Sequence, residues 1–555
     1  MNKKKINKMT GNTMDKKKSQ DILYKLKDSP SRWKTPEFYF YYFMFALNIP
    51  LMFRCAIKFS SPDNVNYPKY KDLLSDGWMF GRKADVSDSQ TNTFRSFAFI
   101  LLYVLLFHIA VSRIIQFLPY SISVKCRKIF SLVFSMIFLG VLYGTSIIKI
   151  MILLSINYYI AKCLRKSKMN PTLTWIFNIA ILFLNDIYKG YKFSAIWSGL
   201  EFLDKNNGLM PRWDINYNYC VLRSISFNLD YYWCLKNKEE SKDVEAKIIK
   251  DDGTKDYRAR VKDSLLEMDY NFFNYLVYIL YVPLYLAGPI ITFNDFIYQI
   301  NHRNNLPIKK TLIYAIRFVA VCILFEWTIH YMYVNAIIRR RAYENFTPFD
   351  FCMIAYFSLN NVWLKLLIIW RFFRLWAMAD NIETIENMNR CMSNNYSMAG
   401  FWRAWHTSYN KWNIRYIYIP LGGNKSPIIN NAIVFSFVAI WHDISLKLFE
   451  WSWLIIIFLI PETVCTNIIS KKINHLPSYR HIKSFGAALN IILMITANMV
   501  GYVIGLDGAK EILGEIFALK HIVYWVYMLI CIMVTTHVMF EIREEEKRRG
   551  IFKKY

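Results

Sequence analysis

The chain reads as an all-α integral membrane protein, and three observations predict this. Its apolar residues gather in blocks of about 20, the length of a helix that crosses a bilayer. Of its 555 residues 54% are hydrophobic and 17% aromatic. Its lysines and arginines lie mostly between the apolar blocks. A soluble chain of this length would divide into about three or four domains; here the apolar residues are concentrated instead.

Residues 1–34 open with "MNKKKINKMTGNTMDKKK" and carry eleven lysines or arginines against three aspartates. They lack the apolar core of a signal peptide and read as a disordered tail, cytosolic by the positive-inside rule. The membrane region then runs over 35–545, and 546–555 reads as a short basic tail. Candidate spans are, in order, Phe38–Phe59, Phe97–Phe117, Ile129–Ala161, Leu173–Leu184, Phe272–Ile291, Leu312–Ile338, Phe351–Trp370, Ala432–Trp441, Leu454–Ile469, Leu489–Ile504 and Ile522–Phe540. Ile129–Ala161 is long enough for two helices. This predicts about ten to twelve crossings, some re-entrant, because non-helical backbone is tolerated at membrane depth only where protein buries it.

Between the spans, Lys236–Asp263 carries nine basic and eight acidic side chains. So charged a stretch buries too little surface to offset its ordering entropy, and it predicts a mobile loop insertion. No Gly-rich phosphate loop is present.

The formal charge of +28 would suggest nucleic acid in a soluble chain. With the cations set between apolar blocks, loop lysines and anionic headgroups account for it, and no nucleic-acid partner is expected. The ten cysteines form no C-x-x-C pair and no zinc-spaced cluster with histidine. Neither a disulfide framework nor a structural metal is indicated, and no bound cofactor.

One stretch fits neither a surface helix nor a span: "FWRAWHTSYNKWNIRYIYIPLGG", Phe401–Gly423. Taken as a helix at about 100° per residue, Trp402, Trp405, Tyr409, Trp412 and Tyr416 form an aromatic stripe. Arg403, His406, Asn410 and Asn413 form a polar stripe beside it. Pro420 and Gly422–Gly423 then end the helix and allow a tight turn. Such a helix suits the membrane interface or the wall of a polar cavity inside the membrane. The next block, "NNAIVFSFVAIWHDIS" (Asn430–Ser445), places His442 and Asp443 at the end of an apolar run. His108, His330 and His537 also sit in apolar runs, where a packing role is the ordinary one. His406 and His442 differ in flanking one proline–glycine turn. Burial disfavours a charged imidazole, so a buried histidine stays neutral and able to accept a proton. No G-x-S-x-G elbow accompanies them, which leaves acid–base work on a substrate hydroxyl.

These residues carry a resemblance. "WRAWHTSYNKWNIRYIYIPLGG" followed by "FVAIWHD" resembles the membrane-bound O-acyltransferase family, and within it the glycerol-uptake branch related to the Hedgehog acyltransferases. "SDGWMFGRKADVSDSQ" (Ser75–Gln90), "PRWDINYNYCVLRSISFNLDYYW" (Pro211–Trp233), "NYLVYILYVPLYLAGPIITFNDF" (Asn274–Phe296) and "WLKLLIIWRFFRLWAMADNIETIENMNRC" (Trp363–Cys391) extend the likeness over most of the chain. It implies a multi-helix fold enclosing an intramembrane tunnel, in the endoplasmic reticulum membrane. It implies acyl-CoA as co-substrate and His442 as general base. His406 matches a second polar position, filled by histidine, asparagine or aspartate among members. With it the Phe401–Gly423 helix becomes a cavity wall, and Trp402, Trp405, Asn410 and Arg415 become substrate-binding candidates.

The function this implies is transfer of a fatty acyl group from acyl-CoA to the hydroxyl of a membrane lipid, in remodelling of glycosylphosphatidylinositol (GPI) anchors. Two other readings compete. One is palmitoylation of a protein N-terminus, as in the Hedgehog acyltransferases. The other is glycerol transport, against which stands the absence of broken helices in matching halves.

Overall fold

The computed structural model describes residues 30–240, 255–302 and 306–551. Most of the basic tail, the middle of the charged insertion and the last four residues lie outside them. Helices make up the fold; the strands among the described residues are one antiparallel hairpin, Leu74–Asp76 with Lys83–Asp85, in which Leu74 faces Asp85. Eight described helical segments are long and apolar enough to cross a membrane, and a ninth, Pro427–His442, is apolar but shorter.

The elements follow from local sequence. Helix α1 (Pro36–Phe59) starts on a proline, where a missing N–H is harmless. Helix α2 (Ser89–Gln116) is capped by Asp88, whose carboxylate accepts the Thr91 N–H at 2.8 Å. The long apolar run that follows breaks into two helices, α3 (Tyr120–Tyr143) and α4 (Ile147–Leu164). The break falls at Gly144, where an added Cβ would meet the Asn206 carbonyl oxygen at 2.2 Å. Helix α5 (Met169–Tyr188) packs beside α4.

Helix α6 (Trp213–Glu240) matches none of the candidate spans. Every residue from Cys220 to Tyr231 is buried, among them Arg223, Ser224, Ser226, Asn228 and Asp230. Each polar group has a partner on another element. Asn228 donates to Thr174 at 2.9 Å and bonds Asn157. Ser226 meets the Tyr416 hydroxyl at 2.8 Å. Asp230 accepts from Arg415 at 2.8 Å. Buried polar groups are retained where they are paired, and here the pairing makes α6 the hub of the bundle.

Arg223 also explains why Phe272–Ile291 is not one span. The block forms α8 (Phe272–Leu280, with α7 the short Tyr257–Lys262 before it), breaks at Tyr281, turns again over Val282–Tyr285 and then runs irregularly. Arg223 donates to the Ile279 carbonyl at 2.6 Å and to that of Leu284, so the freed carbonyls are satisfied inside the protein. Helix α9 (Phe293–Asn301) follows, all but its last residue buried.

The charged insertion differs from a uniformly mobile loop. Its end is ordered: in α7 Arg260 is buried, pairing with Asp295 at 2.6 Å and Glu383 at 3.1 Å. The charge-rich composition concealed one arginine whose partners lie 35 and 123 residues away.

Helices α10 (Ile308–Tyr331) and α11 (Pro348–Ala379) pack together, the latter opened by a capping box of Thr347 and Asp350. The short helices α12 (Met398–Ala404) and α13 (Thr407–Asn413) follow, and beyond them come α14 (Pro427–His442), α15 (Leu446–Val464), α16 (Tyr479–Met499), α17 (Gly505–Ile516) and α18 (Ile522–Arg548). Helix α18 runs three residues into the stretch read as a tail. One face of the bundle holds both ends of the described chain: the Arg32 N–H donates to Glu541 at 3.1 Å, and Arg390 pairs with Glu546 at 2.6 Å. The 380–397 segment and the start of α10 share that face, joined by Lys310 and Glu383 at 3.0 Å.

Candidate active site

The stretch read as one helix from Trp402 to Tyr416 is three pieces. Helix α12 (Met398–Ala404) stops, α13 (Thr407–Asn413) restarts, and a π-helical turn follows over Ile414–Tyr418. A competing segment causes the first break. In a continuous helix the Ala404 carbonyl would accept from Ser408, and the Thr407 N–H would donate to Arg403. Instead Ala404 accepts the Asn389 N–H at 3.1 Å, and Thr407 donates to the Asn387 carbonyl at 3.0 Å. The Ser408 N–H goes to the Asn387 side chain at 3.2 Å. His406, between the pieces, takes a left-handed conformation, φ 43° and ψ 51°. The end of the segment is as expected: the chain turns at Gly422, φ 97°.

The polar stripe and the first three residues of the aromatic stripe line one cavity of about 320 Å³, while Trp412 and Tyr416 hydrogen-bond to α6. Trp402, Arg403, Trp405, His406, Tyr409, Asn410 and Asn413 line it from one side, and His442 at the end of α14 from the other. Trp451 of α15 and Tyr502, in a π turn after α16, complete the wall. His406 is buried, its ring stacked on Trp370 at 4.3 Å. His442 is exposed rather than buried, contrary to the expectation for a histidine ending an apolar run, because α14 stops there and the ring lines open space. The rings of His406 and His442 lie 5.3 and 6.3 Å from that of Tyr409, which packs between them with Trp441.

Trp402 Nε1, His406 Nε2 and Asn410 Nδ2 are buried with no hydrogen-bond partner among the described residues. Tyr409 Oη and Asn413 Oδ1 at the same cavity are likewise unpaired, so its wall offers a polar ligand several unsatisfied atoms. His442 is held by a reciprocal pair one residue before it. The Trp441 indole donates to the Asn218 carbonyl at 2.8 Å, and the Asn218 amide donates to the Trp441 carbonyl at 2.8 Å. The buried helix α6 thus fixes the end of α14 and with it the imidazole.

The membrane-bound O-acyltransferase family model matches residues 172–505, a span that holds both histidines and all the cavity walls. The chain belongs to the membrane-bound O-acyltransferase family. This acyltransferase is 45% identical over 531 residues to the membrane-bound O-acyltransferase GUP1 of Saccharomyces cerevisiae, covering 95% of the chain and 94% of the relative. It is 41% identical over 521 residues to gup1 of Schizosaccharomyces pombe, covering 92% and 89%. A more distant match is the mouse protein-cysteine N-palmitoyltransferase HHAT, 24% identical over 259 residues, covering 44% and 52%. The glycerol-uptake likeness and its Hedgehog-acyltransferase relation both stand.

Of the site residues named from the sequence, the acyltransferase brings His406, His442, Trp402, Trp405 and Asn410 to one cavity. Arg415 is the exception. It is absent from the cavity lining; its guanidinium pairs with the buried Asp230 at 2.8 Å and lies over Trp233 at 5.1 Å. The π turn accounts for this, since the extra residue per turn rotates Arg415 and Tyr416 toward α6. Sequence reading assigned no role to Trp370, Asn218, Trp451 or Tyr502. Asn218, Trp370 and Tyr502 each lie more than 30 residues from both histidines, while Trp451 follows His442 by nine; of the four, Asn218 and Trp370 fall inside the quoted family motifs.

Proposed function

We propose that this acyltransferase moves a fatty acyl group from acyl-CoA to the hydroxyl of a membrane lipid, with His442 as general base. The acceptor proposed is the lyso-lipid of a GPI anchor, in the endoplasmic reticulum membrane. The observation that carries the reading is the cavity: an accessible imidazole facing unpaired buried donors, walled by aromatic rings. In the proposed step, His442 takes the proton of the acceptor hydroxyl as its oxygen attacks the thioester carbonyl. The C–S bond then breaks, and the leaving thiolate takes the proton back from the imidazolium. The unpaired Asn410 amide and Trp402 indole, with His406 Nε2 in the tautomer that carries its proton, suit the oxyanion or the acceptor's glycerol oxygens.

A second cavity supports a phosphorylated donor. An open funnel of about 580 Å³ is lined by Lys309, Lys310, Arg317 and Arg374. Its lining also includes Met388 and Asn389, and Asn389 donates to Thr407, next to His406, at 2.7 Å. Lys309 and Arg317 are exposed and have no ion-pair partner among the described residues. The funnel lies on the face that holds both ends of the described chain, cytosolic on the positive-inside reading of the basic tail, where acyl-CoA is available. Charge reversal at both, Lys309→Glu with Arg317→Glu, is expected to raise the KM for acyl-CoA by about tenfold with a smaller change in kcat. Steady-state kinetics in detergent checks this, and an unchanged KM removes the funnel from the donor's path.

The acceptor is tested in cells lacking the protein, where mass spectrometry of GPI anchors should find the lyso form accumulating. A lyso-lipid enters such a cavity from the bilayer with its remaining chain already in hydrocarbon, whereas a peptide must have its backbone groups satisfied on the way. Unchanged anchors, with loss of acyl groups from a secreted protein, would favour the palmitoyltransferase reading instead.

A further inference from the structure

Away from the cavity, Glu37 of α1, His481 of α16 and His537 of α18 converge on the face that carries both ends of the described chain. One ligand atom from each lies within 4.8 Å of the other two, and no other group of three or more such side chains meets that spacing among the described residues. The ring nitrogens His481 Nδ1 and His537 Nε2 are 3.2 Å apart and hydrogen-bonded to each other without the ion, a bond that a metal would replace. Two ligands on a tetrahedral zinc, each bonded at about 2.0–2.1 Å, sit about 3.4 Å apart. The histidine pair is therefore already at zinc spacing, and the carboxylate needs only to close inward.

The surroundings hold two of the three ligands in place. Tyr41, one turn after Glu37, hydrogen-bonds the Glu37 carboxylate and stacks on the His537 ring at 5.5 Å and 16°. Hydrogen bonding and packing of this kind orient metal ligands. His537 is buried, while His481, in the first turn of α16, is exposed and leaves an approach for an ion. Two cations also face the group. Arg32 is 3.7 Å from Glu37, and Arg480 Nε is 3.4 Å from His537 Nδ1. A metal on His537 Nε2 places that ring's proton on Nδ1, so Arg480 must move off it. Its other contacts give it a destination, since it already reaches Glu541 at 3.4 Å and Glu544 at 3.5 Å.

We infer that Glu37, His481 and His537 form a zinc site that clasps α1, α16 and α18 at one end of the bundle. A water fills the fourth position of the tetrahedron. The same three helices, with α11, wall an apolar chamber of about 270 Å³ lined by Met52, Ile491, Ile495 and Cys531 among others. The clasp fixes their separation where no backbone connection does. It lies apart from the His406–His442 cavity and does not depend on the acyl-transfer reading.

The test uses the full chain purified in detergent without a histidine tag. Elemental analysis should find about one zinc per chain, falling below about a tenth in His481→Ala. His475→Ala, which alters another exposed histidine, should keep it. Because binding to the folded state raises stability, a chelator should lower the Tm of the wild type and leave that of His481→Ala unmoved. If His481→Ala proves misfolded, the wild-type response to chelator and to added zinc decides alone. A wild type that neither holds zinc nor gains Tm when zinc is added overturns the site, as does a folded His481→Ala that keeps its zinc.

Discussion

His442→Ala is expected to lower kcat for acyl transfer by about 10²–10⁴-fold, the usual contribution of a general base, while the protein still inserts and purifies as a folded species. The side chain lines open space at the end of α14 and hydrogen-bonds to no other element among the described residues, so its loss removes chemistry rather than packing. The position of α14 survives, because the reciprocal bonds of Trp441 and Asn218 are untouched. Turnover of labelled acyl-CoA by purified variants measures the effect. Near-normal kcat in His442→Ala would remove it as the base and pass that role to His406.

Asp230→Ala is expected to cost about 3–5 kcal/mol of stability, the range for removing one partner of a buried ion pair. Asp230 is fully buried, and Arg415 is left with Trp233 and Tyr416 around an uncompensated guanidinium. Arg415→Ala should show a loss of the same order. The double variant should recover part of it, since neither charge is then stranded. Thermal unfolding in detergent reads all three. If Arg415→Ala instead keeps its Tm and raises the KM for a substrate, Arg415 belongs to the binding site after all.

Those two predictions separate what the sequence disclosed from what it concealed. Long apolar blocks such as Phe38–Phe59 and Ile522–Phe540 announce themselves because lipid demands continuous hydrophobicity. Helix α6 did not, because Arg223, Asn228 and Asp230 are matched to groups on other elements, and hydropathy cannot see a partner. The same blindness made Phe272–Ile291 look like a single span, its bend being satisfied by Arg223 from about 60 residues away. Within the site, the residue types and their clustering at Phe401–Gly423 were legible. The break at His406 was not, since it depends on Asn387 and Asn389 capturing hydrogen bonds that periodicity assigns to the helix.

The backbone at His406 restricts what evolution or an engineer can place there. A left-handed residue without glycine's freedom is uncommon, and among the other types asparagine, aspartate and histidine adopt it most readily. Their chemistry differs widely, from a neutral amide through an anion to an imidazole, but their tolerance of the conformation is shared. The choice at 406 is thus narrowed first by the chain's path and only afterwards by the reaction. A β-branched replacement, however suitable its polarity, would be strained before it met a substrate.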